Sequence, residues 1–192
     1  MTSALFIIDV QNDFTEGGAL GVDGGAAVAA GISRYLDEHP GKYDVVLASR
    51  DWHDGTNDNG GHFATDAAPD FVATWPAHCV AGTPGAEYHP DLDTGDVHVH
   101  IRKGQGQPAY SIYEGETPEG VPLPEVLAEH GVTDVDVVGI ATDYCVRASA
   151  LDALHDGKRV RVLTDLVAGV APESSTAALA ELESEGIEIA HS

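Results

Sequence analysis

The residues that could do chemistry fall where apolar runs end: an acid at Asp9, an acid and an imidazole at Asp51 and His53, an amine at Lys103 and a thiol at Cys145. A thiol beside an amine and an acid is a set for nucleophilic catalysis. The amine favours thiolate by its charge, and the acid takes a proton as base and returns it as acid. Cys145 follows Thr142-Asp143-Tyr144 at the expected start of a helix, with Thr142 or Asp143 as its cap. The partial positive charge and free N–H groups of a helix start lower a thiol pKa and can cradle the oxyanion of a tetrahedral intermediate. Asp51-Trp52-His53 sets a carboxylate and an imidazole two residues apart, so both face one way from an extended strand end. His62 and His78 follow in the same long connection. Asp, His and His suit Zn²⁺, Fe²⁺ or Mn²⁺, with a position left open for water or substrate. Singly, each residue has a plainer reading: a small buried cysteine, a solvated lysine, a loop-capping acid, a chance cluster among ten histidines. His39, His89, His130, His155 and His191 are expected at the surface, and Cys79, with no second thiol nearby, is expected to be structural.

These positions need elements to hold them. Ala4–Ile8 is a continuous apolar run, as in a strand buried on both faces, and Asp44–Ala48 is a second. Val97–Ile101 alternates, and Val135–Ile140, Val160–Leu163 and Ile187–Ile189 complete six strands. Helices are expected over 24–39, 123–130, 142–155 and 173–185, with Gly131 and Gly157 as stops and Pro172 as a start. Strands alternating with helices predict an α/β domain spanning residues 1–192: a doubly wound three-layer sandwich around a mostly parallel six-stranded sheet. In such sheets ligands bind beyond the carboxyl ends of the strands, where the chemistry-bearing residues lie. The connection over 51–94 is rich in Gly, Pro, Asp and His, and a connection of that length in a compact domain is usually functional. Within it, 54–65 fails as a calcium loop, with Asn59 where the turn needs glycine and Thr65 where the bidentate Glu belongs.

Composition narrows the function. The 192-residue chain carries a net charge of −23 with its acids scattered, which argues against nucleic acid and anionic membranes as partners. No apolar run approaches the ~20 residues of a membrane span, and Met1–Asp13 lacks the basic start of a signal peptide. With only two cysteines, a reducing cytoplasmic setting is expected. Homo-oligomerisation stays open.

The motifs resemble those of a known family. Phe6-Ile7-Ile8-Asp9-Val10-Gln11-Asn12-Asp13-Phe14, Arg50-Asp51-Trp52-His53, Gly61-His62-Phe63, the run Thr74-Trp75-Pro76-Ala77-His78-Cys79, Arg102-Lys103-Gly104 and Gly139-Ile140-Ala141-Thr142-Asp143-Tyr144-Cys145 together look like a nicotinamidase of the isochorismatase-like cysteine hydrolases. The resemblance implies the isochorismatase-like hydrolase fold and hydrolysis of nicotinamide, and of pyrazinamide, through a cysteine thioester. It implies a triad of Asp9, Lys103 and Cys145, and one divalent metal held by Asp51, His53 and His78 with His62 as fourth ligand. It further implies a cis Ile140–Ala141 peptide and an oxyanion hole from the N–H groups of Ala141 and Cys145. Phe14 and Trp75 would flank the ring, and Tyr110 and Tyr144 would border the pocket. The rival readings are an amidohydrolase of N-carbamoyl or ureido compounds, which would lack the metal set, and a silent metal- or small-molecule-binding domain.

Overall fold

The computed structural model describes residues 1–192, and its order of elements follows the apolar pattern. Strand β1 (Thr2–Ile8) is followed by helix α1 (Gly25–Glu38), β2 (Val45–Asp51), β3 (Val99–Lys103), α2 (Leu123–His130), β4 (Val132–Ile140), α3 (Arg147–His155), β5 (Arg159–Ala168), α4 (Pro172–Glu185) and β6 (Glu188–Ala190). The sheet order is β3-β2-β1-β4-β5-β6, and every neighbouring pair runs parallel. The expected mostly parallel sheet is therefore wholly parallel.

Alternation along β1 divides the core. Ala4, Phe6 and Ile8 face one cluster with Leu123, Val126 and Leu127 of α2, Ala150 and Ala153 of α3, and Leu182 of α4. Leu5 and Ile7 face a second cluster with Val28, Ala29, Ile32, Tyr35 and Leu36. Those five lie on one helical stripe of α1, which is why it packs flat on the sheet. The layers are thus α1, the sheet, and α2–α4. No helix is long and apolar enough to cross a membrane.

Several boundaries move. Strand β2 extends to Asp51 and β3 to Lys103, so both chemistry-bearing residues are the last of their strands rather than loop residues beyond them. Strand β3 begins at Val99, because Val97 turns back onto Thr94 instead of joining the ladder. Gly131 ends α2 at φ 65° and Pro172 opens α4, as the sequence indicated. The segment after β2 holds no regular helix or strand beyond a short turn at Pro84–Ala86 and isolated bridges, among them His53 to Val80 and Phe63 to Trp75.

Candidate active site and metal centre

The strand order reverses between β1 and β4, and a ligand crevice is expected outside the carboxyl ends there. Asp9 follows β1, Asp51 and Lys103 end β2 and β3, and Cys145 lies just past β4. The ammonium of Lys103 joins them. Its Nζ lies 2.8 Å from Asp9 Oδ2 and 3.8 Å from Cys145 Sγ, and it donates a hydrogen bond to Asp51 Oδ1. Lys103 is 1% exposed, and Asp9 and Asp51 are equally enclosed. One buried ammonium thus serves two buried carboxylates and a thiol.

Burial sets the proton balance. It would drive the Lys103 ammonium towards neutrality, but Asp51, Asp9 and Cys145 more than reverse that, so its pKa rises and it stays charged. Burial raises the Asp9 carboxyl against the pull of Lys103, which suits a group that must both accept and give a proton. Asp51 is also buried, yet the Lys103 ammonium, with His53 and His78 beside it, holds it well below the carboxylate range. The Cys145 thiol is pushed up by burial, with Lys103 opposing and Asp9 and Asp51 reinforcing. This corrects the expectation of a thiol lowered by its helix start. Two carboxylates and an apolar surround outweigh one ammonium, so the resting sulfur keeps its proton and needs a base.

The local backbone also departs from expectation. Thr142–Val146 forms a π-helical turn capped by Ala141, with no side-chain cap bond, and α3 starts only at Arg147. Neither Thr142 nor Asp143 is the cap. Asp143 instead accepts hydrogen bonds from the N–H of Val170 at 3.0 Å and the Ser174 hydroxyl at 2.5 Å, tying the turn to the start of α4. The Ile140–Ala141 peptide is cis.

Beside Lys103 stands the imidazole cluster. His53, His62 and His78 are buried, and one potential ligand atom from each lies within 4.8 Å of the others. Asp51 Oδ2 is 3.6 Å from His53 Nε2 and 3.8 Å from His78 Nε2. The Nδ1 of His53 pairs with the Gly104 carbonyl and that of His78 with the Pro76 carbonyl, each at 2.7 Å. Those bonds fix tautomers that leave both Nε2 atoms as acceptors facing the cluster. His53 Nε2 is buried with no hydrogen-bond partner. Burial, then His53 and His78, push His62 down to about 4, so it is neutral near pH 7. Three imidazoles around an ionised carboxylate, with an unpartnered buried nitrogen, fit a divalent transition ion. Gly104, at φ 74°, lets the chain turn over His53; a Cβ there would fall 2.5 Å from His53 Cε1.

Over thiol and imidazoles opens a mainly apolar cavity of about 470 Å³. Phe14, Asp51, His62, Trp75, His78, Tyr110, Ala141, Tyr144 and Cys145 line it, while Asp9, His53 and Lys103 lie beneath its floor. Trp75 Nε1 donates to Tyr110 Oη at 3.1 Å, and Tyr110 stacks on Tyr144 with ring centroids 6.3 Å apart. All the residues singled out from the sequence therefore meet in one place. Of the five histidines expected at the surface, His89 is half-buried and the other four are exposed. Cys79 is buried away from the cavity, its N–H donating to Asp13 Oδ2 at 2.7 Å.

Two supporting residues were not singled out from the sequence. Ser49 donates to Asp9 Oδ1 at 2.7 Å, and buried Gln11 braces the Asp51 backbone, accepting from its N–H at 2.8 Å and donating to its carbonyl at 2.9 Å. Gln11 had a signal, its place two residues after Asp9; Ser49 had none.

The isochorismatase domain family matches residues 3–192. The nicotinamidase/pyrazinamidase of Mycobacterium tuberculosis is 50% identical over 186 residues, covering 97% of each chain. The nicotinamidase of Escherichia coli is 34% identical, covering 95% of this chain and 92% of that one. Among solved structures, the pyrazinamidase of Pyrococcus horikoshii in complex with zinc superposes with a TM-score of 0.83 at 38% identity, covering 100% of both chains. PnC1 of L. infantum in complex with nicotinate gives 0.84 at 35% identity, covering 99% of this chain and 92% of that one.

Proposed function

The chain belongs to the isochorismatase family, and from that premise we infer that it hydrolyses nicotinamide to nicotinate and ammonia, and pyrazinamide likewise. The observation that carries this reading is the Lys103 ammonium in contact with Asp9, Asp51 and Cys145 under one apolar cavity. Related nicotinamidases and pyrazinamidases, with zinc and nicotinate complexes among the solved structures, support it.

Phe14 and Trp75 hold the flat ring between them, Tyr110 and Tyr144 close the side, and the carboxamide carbon rests against Cys145 Sγ. Asp51, His53, His62 and His78 would hold a divalent ion, which would supply a Lewis acid to orient the ring. Asp9 takes the thiol proton as sulfur attacks the carbonyl, and Lys103 steadies the negative charge as it passes from the Asp9 carboxylate to sulfur. The N–H groups of Ala141 and Cys145 receive the oxyanion. Asp9 then hands its proton to the departing amine; ammonia leaves and a nicotinoyl thioester remains on Cys145. Water, deprotonated by Asp9, attacks the thioester carbonyl, nicotinate departs, and the proton returns to sulfur. The raised Asp9 carboxyl suits both directions of transfer. We place this activity in the cytoplasm, supported by the two free cysteines.

An ammonia-release assay tests the reading. Nicotinamide should give ammonia and nicotinate in equal amounts, and chelation should abolish the signal until metal is restored. Turnover of ureido compounds alone, indifferent to chelation, would favour the rival amidohydrolase.

A further inference from the structure

His53 and His78 are each held by a carbonyl on the ring nitrogen away from the cluster, but His62 is not. Its Nδ1 is buried without a partner, so no ring hydrogen bond orients it, and its position comes from its backbone and from packing against Phe63 and Tyr110. That backbone is a tight turn. Asn59, Gly60 and Gly61 have φ values of 50°, 69° and 85°, three successive left-handed residues, and the His62 N–H donates to the Asn59 carbonyl at 3.3 Å. Asn59 is wholly buried. Its Oδ1 accepts from the N–H of Asp54 at 2.9 Å and of Gly106 at 3.1 Å, and its Nδ2 donates to the carbonyls of Asp54 at 2.8 Å and Asn57 at 3.3 Å. One side chain thus clamps the segment leaving His53 to the segment leaving Lys103. Gly104, whose carbonyl holds His53, lies two residues before Gly106. Asparagine suits the spot twice over: it tolerates left-handed backbone, and it offers acceptor and donors on one short stem.

We propose that Asn59 is a positioning residue for the metal centre, setting His62 at ligand distance by locking the 54–62 loop onto the turn after Lys103. This rests on the reading of His62 as a ligand. If Asn59 acts through His62, its removal weakens the ion's hold without displacing the other three ligands, and the loss vanishes once His62 itself is gone.

Zn²⁺ titration of metal-free protein by calorimetry tests this, with Co²⁺ absorption reporting ligand number and thermal unfolding of the metal-free proteins reporting the fold. N59G keeps the left-handed backbone and deletes the clamp; it should bind Zn²⁺ about 10–100-fold more weakly and alter the Co²⁺ spectrum as H62Q does. N59D keeps both accepted bonds, which join the Asp54 and Gly106 segments, but loses both donated ones, so its affinity should fall between wild type and N59G. In an H62Q background neither N59G nor N59D should change affinity further, which separates positioning from a charge effect on the ion. Wild-type Zn²⁺ affinity in N59G would overturn the proposal, as would an equal loss from N59G with and without His62. Should wild-type protein take up no stoichiometric Zn²⁺, the metal reading itself fails; stoichiometric uptake with an indifferent N59G defeats the role of Asn59 alone.

Discussion

Both ends of the sheet carry a buried polar network, and only one of them is closed. At the amino end of the strands, Arg161 grips Asp136 through two hydrogen bonds of 2.9 and 2.5 Å, and the Tyr43 hydroxyl donates to the same carboxylate at 2.5 Å. Tyr35 shares the Tyr43 hydroxyl at 2.9 Å, and Lys42 donates to Tyr35. Arg161 balances the one carboxylate, and the neutral hydroxyls carry the network on to the exposed Lys42. At the carboxyl end one ammonium faces two carboxylates, three imidazoles stand around one of them, and His53 Nε2 and His62 Nδ1 have no partner. Burying an excess anion with unpartnered acceptors costs several kcal/mol unless something completes the set. A closed network holds a fold together. An open one of this composition needs a cation and holds a thiol ready for attack.

That contrast can be broken in order of expected effect. Cys145→Ala should lower kcat about 10⁴-fold or more while leaving ring binding intact, read by turnover and by equilibrium binding of nicotinamide. Substantial residual turnover would take the nucleophile away from Cys145. His53→Ala should strip the metal and cut kcat/KM about 10²-fold, measured by metal analysis and steady-state kinetics. Full metal content in that variant would remove His53 from the ligand set. Asp136→Asn, at the closed end, should cost about 2 kcal/mol in denaturant unfolding, because it weakens the grip of Arg161, with kcat unchanged. A fall in kcat there would mean that the two ends communicate. Tyr43→Phe should cost about 1 kcal/mol and leave both activity and metal content alone. Wild-type stability in that variant would show the hydroxyl to be dispensable to the network.

Legibility in the sequence followed the reach of each signal. Continuous apolar runs exposed the buried parallel strands, and Gly131 and Pro172 marked helix ends, because those effects act within a few residues. Strand-end position was enough to gather Asp9, Lys103 and Cys145, since a parallel sheet brings its carboxyl ends to one edge. The family resemblance named His62 and the cavity aromatics, which spacing alone left open. What escaped depends on distant partners. The thiol's raised pKa comes from burial and from carboxylates 94 and 136 residues away (145 − 51 and 145 − 9). The double duty of Asp51, towards both the imidazoles and Lys103, appears only when β2 and β3 lie in register. A π-helical turn at Cys145 stands where a capped helix start was expected, and Asp143 bonds instead to Val170 and Ser174, before and within the first turn of α4.

The most direct test of the account is mass spectrometry of wild-type protein quenched by acid during turnover of nicotinamide. A nicotinoyl group should appear on the peptide containing Cys145, absent from Cys145→Ala and from samples without substrate. Nicotinate accumulating with no acylated peptide trapped under single-turnover conditions, or with the acyl group on Cys79, would contradict it.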